Sequence, residues 1–447
     1  WELEKTDSID VMDALGSNIR LDCKGREVMR ILPRNNDDVN EEWISDKTRF
    51  VFDGLRRQRL DKPFMRKNGR LIAVDWEEAL DKASEEISSK KLAAVIGDMA
   101  STESIYALKL MSQSLNGTFE CRVDKSFLST LNRSGFLGNS ELSEIENCNK
   151  IVIIGSNPKV ESPVFNARIR KAWLNGAEIE LIGEKVDLTY EYKYLGADRF
   201  KLQDLINKSD SEYNSKTFVI LGQGALIEED GENVLQATKK LVEKYSCKFL
   251  ILHVAASRVG AMEVGFFNKK GIDACLSDAG VIYNLGMDEF NLPDDCFVIY
   301  QGSHGDRGAN RADIILPSAC YTEESGIFLN TEGRPQIAFR ANFAPGEAKE
   351  NWAIIRALSG RLNLDLGYDN LLELRSKLID EFPHIGRINH VTKPNWTKSS
   401  FVEFSSNYNF RQYYNNFYKT NAVARASLIM NDLSKLSNTN QKIVAAE

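Results

Sequence analysis

Short apolar runs, most of them ending in glycine, recur along this chain with helical segments between them. A helix predicted to begin at Ser162-Pro163 and to end near Gly176 separates one such pair of runs. A strand–helix–strand unit of this kind is a right-handed crossover between parallel strands. Strands buried on both faces of a sheet are continuously apolar, so the pattern predicts parallel sheets covered by helices. The runs are Leu92–Ile96, Ile151–Ile154, Glu178–Ile182, Phe218–Leu221, Lys248–Val254, Phe297–Tyr300 and Asp313–Leu316.

The two ends of the chain have other patterns. Asn18–Asp22 and Glu27–Leu32 flank a turn that contains glycine, which predicts a β-hairpin, and Pro63–Val74 predicts a second hairpin that turns at Asn-Gly. A helix is predicted to begin at Asp75, whose side chain would cap it. After about residue 361 the chain becomes polar. One long helix, Asn421–Leu436, is predicted there, in a tail that docks on the rest of the protein.

Composition excludes several classes of function. The 447 residues carry 57 Lys and Arg against 64 Asp and Glu, and this net charge of −7 makes a nucleic-acid backbone an unexpected partner. The longest apolar stretch, Phe249–Ala256, is much shorter than a membrane span. The seven cysteines are scattered and form no C-x-x-C pair, which argues against an iron–sulfur cluster or structural zinc held by this chain. They are typical of reduced thiols in a reducing compartment.

Four predicted strands end in glycine-containing loops. Ligands of open parallel sheets bind beyond the carboxyl ends of the strands, where glycine lets backbone N–H groups approach a phosphate. A large dinucleotide would suit four such loops, but none completes a phosphate-binding motif, and tight strand-to-helix turns explain the glycines more simply. His304 is the best general-acid candidate, although no nucleophile and base accompany it, whereas His253 is predicted to lie in the core. The candidate cleft residues are Gly97, Gly155, Asn157, Gly222, Gly224, Gly302 and His304.

An acidic run followed by a basic run marks residues 37–59. Such runs form either a solvated face with local ion pairs or a contact surface for a partner subunit, and we favour the second interpretation modestly. The acidic residues are Asp37, Asp38, Glu41 and Glu42, and the basic residues are Arg49, Arg56, Arg57 and Arg59.

Several segments resemble the molybdopterin oxidoreductases. They are Arg59–Arg66, Trp76–Leu80, Gly155–Pro158, Arg168–Ala172, Ala312–Ala319 and Gly333–Gln336. The resemblance narrows to the large iron–sulfur subunits, of the 75-kDa type, of mitochondrial complex I, the NADH:ubiquinone oxidoreductase. The segments similar to that family are Trp1–Leu3, Asp13–Ile19, Asn40–Phe50, Phe417–Thr420 and Ala424–Ser427.

The resemblance implies a molybdopterin-oxidoreductase-like α/β fold with a small β-rich region (residues 1–60), two Rossmann-like halves (61–360) and a helical or irregular tail (361–447). Departures from the catalytic members imply that the cofactor is lost. Ile44–Lys47 has a serine where a cluster ligand is expected, Gly183–Lys185 replaces Asp-Pro-Arg, and no β-barrel lid follows. The ferredoxin-like half that carries the clusters in that family is absent from this sequence.

We therefore expect a cofactor-free structural half of the peripheral arm of complex I, on the matrix side of the mitochondrial inner membrane. It would have no catalytic residue or metal and would support a neighbouring cluster-bearing domain during electron transfer from NADH to ubiquinone. The iron–sulfur clusters would lie in a partner chain or in the missing N-terminal half, and other peripheral-arm subunits would be partners. The alternatives are an active molybdenum- or tungsten-pterin oxidoreductase, with Ser156 or His304 near the metal, and a stand-alone nucleotide-binding protein.

Overall fold

The strands of the chain form four sheets in a computed structural model, which describes residues 2–130, 132–208, 212–414 and 416–444. The strands are β1 (Glu4–Ile9), β2 (Asn18–Lys24), β3 (Glu27–Pro33), β4 (Phe64–Lys67), β5 (Arg70–Ala73), β6 (Leu92–Ile96), β7 (Thr118–Glu120), β8 (Lys150–Ile154), β9 (Glu178–Ile182), β10 (Lys193–Gly196), β11 (Thr217–Gly222), β12 (Lys248–Leu252), β13 (Val281–Leu285), β14 (Phe297–Gly302), β15 (Ile314–Pro317), β16 (Gly326–Leu329) and β17 (Pro335–Ala338).

Helices cover the sheets and connect their strands. They are α1 (Asp46–Phe50), α2 (Trp76–Ser89), α3 (Thr102–Ser114), α4 (Pro158–Glu161), α5 (Pro163–Leu174), α6 (Arg199–Asn207), α7 (Gly231–Tyr245), α8 (Arg258–Glu263), α9 (Gly271–Leu276), α10 (Arg307–Arg311), α11 (Asn351–Arg361), α12 (Leu371–Glu381), α13 (Ala422–Ala426) and α14 (Leu428–Val444). Short 3-10 helices occupy Val51–Arg56, Arg133–Gly135, Leu142–Asn147, Gln223–Ala225 and Phe417–Lys419. Among the described residues, no helix combines the length and apolar character of a membrane span.

Two of the sheets are built from parallel strands, as the sequence predicts. The smaller has the order β10-β9-β8-β11-β12 and is parallel throughout. The larger has the order β5-β4-β15-β14-β13-β6-β7, in which β15 to β7 are parallel and the β4–β5 hairpin joins the edge antiparallel. Every residue of β6, β8, β11 and β13 is buried, because helices cover both faces. Each large apolar side chain buried in this way contributes roughly 1.5–3 kcal/mol.

The predicted hairpins and the first predicted helix are present. β2 and β3 pair antiparallel around a turn with Gly25 at φ 59°, and β1 adds a third strand. The second hairpin turns at Asn68 and Gly69, which both have positive φ, as a two-residue turn requires. The Asp75 carboxylate accepts a hydrogen bond of 2.8 Å from the N–H of Glu78 and so caps α2.

The tail differs from the prediction of one long helix over Asn421–Leu436. The chain forms two helices, α13 and α14, because Ser427 adopts an extended conformation between them. The Ser427 hydroxyl accepts from the N–H of Met430 at 3.0 Å and donates to the buried Asp53 carboxylate. Asp53 also accepts from the N–H of Leu428 at 2.8 Å. Asp53, a buried acid in the N-terminal part of the chain, therefore determines where α14 begins. The periodicity of the sequence around α14 does not reveal this distant contact.

Replacing Asp53 by alanine should destabilise the protein by about 1–2 kcal/mol, because Ser427 and Leu428 lose their acceptor and the N-terminus of α14 loses its anion. Urea denaturation measures the effect. The control is Asp432→Ala in the same helix, which removes an exposed carboxylate and should cost less than about 0.5 kcal/mol. Equal losses for the two variants would contradict this role of Asp53.

Candidate functional site: a crevice between the two parallel sheets

The carboxyl ends of the two parallel sheets face each other across a crevice. Gln223, which follows β11 of the smaller sheet, donates a hydrogen bond of 3.0 Å to Asp124, which follows β7 of the larger sheet. Arg258, at the start of α8, forms an ion pair of 3.1 Å with the same carboxylate. Ligands of open α/β sheets bind at this edge, so the candidate cleft residues belong to this part of the fold.

The glycines of the smaller sheet allow backbone to approach backbone. Gly155 has φ 56° and donates its N–H to the carbonyl of Ile182 at 2.8 Å. A Cβ at Gly222 would overlap the Ser156 side chain, and a Cβ at Gly224 would overlap the carbonyl oxygen of Arg411 from the C-terminal region. The space beside Gly224 is therefore taken by the chain itself.

The glycines and the histidine of the larger sheet are also engaged within the protein. A Cβ at Gly97 would overlap the backbone of Gly286, and one at Gly302 would lie 2.5 Å from the Tyr300 ring. The buried His304 ring donates from Nε2 to the carbonyl of Gly54 at 3.0 Å and accepts at Nδ1 from the Ser303 hydroxyl at 2.8 Å. Burial lowers the pKa of His304 to about 3, so the ring is neutral at physiological pH.

Asn157 lies at the start of α4 and contacts both its own helix and the C-terminal region. Its N–H donates to Glu161 Oε1 at 3.0 Å, and its side-chain amide donates to Gln412 Oε1 at 2.9 Å. The Ser156 hydroxyl donates to Glu161 Oε2 at 2.6 Å. Burial raises the pKa of Glu161 to about 7, although these donors lower it. Ser156 and Asn157 are thus fixed by a buried carboxyl group.

The C-terminal region fills the crevice. We call residues 409–414 and 416–427 the C-terminal strap. It begins at the smaller sheet, where the Phe410 ring is fully buried, and the Tyr413 hydroxyl donates to Asp124 at 3.1 Å within the crevice. Arg425 then forms ion pairs with Asp306 at 2.5 Å and Glu289 at 2.9 Å beside the larger sheet. The strap thus spans the edge of the fold where a ligand would bind.

Little space remains behind the strap at the larger sheet. A cavity of about 50 Å³ lies at the ends of β13 and β14, and Gly302, His304, Glu324 and Ala422 of the strap are among its lining residues. This volume suits one or a few water molecules. A wide groove of about 1070 Å³ also borders the strap beside the smaller sheet, between α14 and the loops around Asn157 and Lys185, and Gln412 and Tyr418 of the strap help to line it.

The crevice is rich in carboxylates. Asp98, Asp124, Asp288, Glu289 and Asp306 surround two arginines, Arg258 and Arg425. Burial, together with the neighbouring Glu289, raises the pKa of Asp98 to about 8 and that of Asp288 to about 7. Asp98 and Asp288 are therefore wholly or partly protonated at neutral pH, and both arginines are already paired with carboxylates. The described residues of the crevice do not fit a pyranopterin dinucleotide, because the strap occupies the strand ends and neither arginine is free to bind the anionic phosphates.

Comparisons with known proteins identify the family. The molybdopterin oxidoreductase model matches residues 59–361, and the 4Fe-4S domain model of NADH-ubiquinone oxidoreductase NDSU1/NuoG-like proteins matches residues 3–53. The 75 kDa subunit of NADH-ubiquinone oxidoreductase from Reclinomonas americana is 37% identical over 98% of this chain and 69% of its own length. The chain belongs to the molybdopterin oxidoreductase family, in the branch of these 75 kDa subunits. The predicted family membership and fold are confirmed.

Further relatives agree with this assignment. The mitochondrial 78 kDa subunit from Neurospora crassa is 38% identical over 98% of this chain and 63% of its own length. An NADH-quinone oxidoreductase subunit from Rickettsia bellii is 40% identical over 96% of this chain and 65% of its own length. The chain thus spans about two thirds of these relatives. One chain of a formyltransferase/hydrolase complex from Methylorubrum extorquens aligns with this chain with a TM-score of 0.51 and 13% sequence identity. The alignment covers 67% of this chain and 98% of the chain from the complex, and it supports the fold alone.

The match of residues 3–53 to a 4Fe-4S domain partly conflicts with the expectation that this chain carries no cofactor. The structure tests whether these residues could hold a cluster. Their one cysteine, Cys23, is buried in β2, and Ser45 caps α1 by accepting from the N–H of Thr48 at 3.0 Å. In the described part of the chain, no group of three or more His, Cys, Asp or Glu side chains is arranged to hold a metal. The donor set of residues 3–53 does not fit a 4Fe-4S cluster on its own.

A buried lysine stands beside Ser45. Lys47 donates to the Thr420 hydroxyl of the strap at 2.9 Å, and its ammonium lies 4.7 Å from the centre of the Phe417 ring. Burial lowers the pKa of Lys47, while Asp13 and Asp10 raise it. The segment in which the family resemblance places a cluster ligand therefore anchors the strap to the N-terminal sheet.

Most of the charged runs between residues 37 and 59 form contacts within the chain. The buried Arg59 forms a two-pronged ion pair with Glu323, with distances of 2.5 and 2.6 Å. Whether the exposed members also form a contact surface stays a prediction. The further pairs are Asp38 with Arg334, Glu41 with Lys171, Arg57 with Asp53 and Arg56 with Glu27.

Replacing Gly224 by alanine should displace the strap, because the new Cβ would overlap the Arg411 carbonyl. We expect a loss of about 1–3 kcal/mol in the free energy of unfolding and faster hydrogen exchange at the N–H of Phe410, which donates to Ala197. The control is Gly305→Ala, whose Cβ would meet no atom closer than 3.6 Å. An unchanged exchange rate at Phe410 in Gly224→Ala would count against the close approach of the strap.

The pKa of Glu161 predicts a pH dependence of stability. This carboxyl titrates near 4.5 when unfolded and near 7 when folded, so the folded protein keeps a proton that the unfolded chain releases between these values. Its contribution is fully present below pH 4.5 and is lost as the pH rises through 7. In the Glu161→Gln variant the amide mimics the protonated acid. Relative to that variant, we expect the wild type to lose up to about 1.4 kcal/mol for each pH unit in this window.

Urea denaturation at a series of pH values measures this difference. The exposed carboxylate of Glu77 provides the control, since Glu77→Gln should leave the shape of the stability curve unchanged between pH 4.5 and 7. A constant difference between the wild type and Glu161→Gln over the same window would refute the assignment.

Proposed function

We propose that this chain is a cofactor-free scaffold in the peripheral arm of NADH:ubiquinone oxidoreductase, where it holds a neighbouring cluster-bearing domain during electron transfer from NADH to ubiquinone. The observation that carries the proposal is the occupation of the ligand-binding edge by the C-terminal strap, which leaves a cavity of about 50 Å³ at the ends of β13 and β14. The names of the relatives support the assignment, since each is a subunit of an NADH-ubiquinone or NADH-quinone oxidoreductase.

The strap supports the proposal because it joins three parts of the molecule. Phe410 packs 4.8 Å from the guanidinium of Arg199 beside the smaller sheet. Arg425 pairs with Asp306 in the loop that follows β14 of the larger sheet, and Ser427 contacts Asp53 near the three-stranded sheet. A platform joined in this way holds fixed distances, and electron transfer between redox centres depends steeply on distance. In this proposal the chain consists of a β-rich region (1–60), an α/β region (61–360) and the tail (361–447).

The partner of the scaffold would be a ferredoxin-like half that supplies the thiolate ligands which residues 3–53 lack. It would adjoin residues 1–59, in which the exposed Arg56 and the half-buried Arg49 contribute positive charge. Other subunits of the peripheral arm would complete the assembly on the matrix side of the mitochondrial inner membrane. The name of the Neurospora crassa relative, which is given as mitochondrial, supports this location.

The rival function is that of an active molybdenum- or tungsten-pterin oxidoreductase. It requires a free donor near the metal, and the two candidates, Ser156 and His304, are instead engaged with Glu161 and with Gly54 and Ser303. It also requires room for an anionic dinucleotide where the strap and the carboxylates lie. These contacts favour the scaffold.

Isolation of the full chain from its own cells, by an affinity tag under mild detergent, tests the proposal. We expect the chain to migrate on a native gel with a large assembly that contains iron–sulfur clusters and oxidises NADH. Molybdenum and tungsten should stay below about a tenth of an atom per chain, since the strap and the crevice carboxylates leave no place for the pterin. Stoichiometric metal together with a fluorescent pterin on acid extraction, or a chain that migrates alone, would overturn the scaffold.

A further inference from the structure

We propose that the crevice has become a peptide-binding site whose ligand is the chain's own C-terminal strap. The strap would remain bound after its covalent connection to the rest of the chain is cut, and Arg425 would be its main charged determinant. This inference rests on the proposed function, because it requires that no dinucleotide occupies the crevice.

The first part of the strap binds as an added strand binds to a sheet edge. Asn409 forms a bridge with Asp198, and the N–H of Phe410 donates to the carbonyl of Ala197 at 2.8 Å. The Phe410 side chain then enters a fully buried site against Arg199. Main-chain hydrogen bonds combined with one pocketed side chain are a common mode of peptide recognition.

Side chains of the strap then meet polar groups from both sheets. Gln412 accepts from Asn157 at 2.9 Å, next to the smaller sheet, and Tyr413 donates to Asp124 at 3.1 Å, next to the larger sheet. Gly224 leaves room for the Arg411 carbonyl between these two contacts. The crevice therefore recognises the main chain, an amide and a phenol within three consecutive residues.

Charge complementarity assigns the central role to Arg425. Its side chain is 19% exposed and pairs with Asp306 and Glu289, while Asp98 and Asp288 lie nearby. The carboxylates of Asp306 and Glu289 favour a cationic side chain at this position of the strap. Removing a largely desolvated charge that has two partners leaves carboxylates unpaired and chiefly accelerates dissociation.

The far end of the strap is anchored on the N-terminal part of the molecule. Thr420 accepts from the buried Lys47, and the carbonyl of Val423 lies against Gly54, where a Cβ would overlap it. The residues just before the strap are exposed instead, with Asn407 and Tyr408 open to solvent. A protease can therefore reach the connection while the strap is bound.

Cutting the full chain tests the inference without removing any residue. A protease-cleavage sequence is inserted between Ser406 and Asn407, the folded protein is cut, and the dissociation rate of the fragment that begins at Asn407 is followed by dilution and gel filtration. We expect the fragment to co-elute with the rest of the chain. Arg425→Glu should raise its dissociation rate by at least about tenfold.

Arg411→Glu is the matched control, because Arg411 lies in the same strap, carries the same charge and is 70% exposed, 3.6 Å from Glu228. It should change the dissociation rate by less than about threefold. If Arg425→Glu does not fold, Tyr413→Phe removes only the hydrogen bond to the charged Asp124 and should raise the rate by about tenfold. Immediate release of the wild-type fragment, or equal rates for the two arginine variants, would overturn the inference.

Metal and pterin analysis of the same samples separates this inference from the proposed function. A fragment that dissociates at once from a chain without molybdenum, tungsten or pterin overturns the peptide site and leaves the scaffold standing. A fragment that dissociates from a chain with stoichiometric metal and pterin overturns both.

Discussion

The balance of charge where the two parallel sheets meet is the constraint on which the rest of the structure depends. Asp124 receives hydrogen bonds from Gln223 and Tyr413 and an ion pair from Arg258, so one carboxylate links both sheets and the strap. Arg425 links the strap to Asp306 and Glu289, which both follow strands of the larger sheet. Unpaired buried carboxylates are costly, and without these arginines the carboxylates that follow the strands of the larger sheet would lack partners. The position of the strap follows from this need for counter-charge.

The parallel sheets could be predicted from sequence because their signal is local. Buried strands such as β8 and β11 are continuous apolar runs, and glycines mark their ends. The central strand β13 has no such signal, since the buried Asn284 interrupts it. Its amide accepts from the N–H of Met287 at 2.8 Å and donates to the carbonyl of Met287 at 2.9 Å, so a polar residue is satisfied where the pattern demands an apolar one.

The candidate site is less accessible to sequence reasoning. The glycines and His304 correctly indicate the edge formed by the carboxyl ends of the strands. Their roles, however, depend on neighbours that are distant in the chain. His304 has the residue type and loop context of a general acid, yet burial and the Gly54 carbonyl make it a structural group. Arg425 lies more than a hundred residues from both of its acidic partners and carries no local signature. The break at Ser427, which depends on Asp53, escapes prediction for the same reason.

A strap in place of a cofactor explains how a fold can persist after its ligand is lost. A bound ligand stabilises the folded state by mass action, so losing it removes a stability that grows with the logarithm of the ratio of free ligand concentration to Kd. A covalently attached ligand restores this term, because its effective concentration is on the order of millimolar for a short connection and does not depend on supply. Modest contacts such as Gln412–Asn157 and Tyr413–Asp124 then suffice to keep the crevice filled. A free pterin would have to exceed this effective concentration, or bind more tightly than the strap, to open the crevice, and the sheets meanwhile keep the spacing that a scaffold requires.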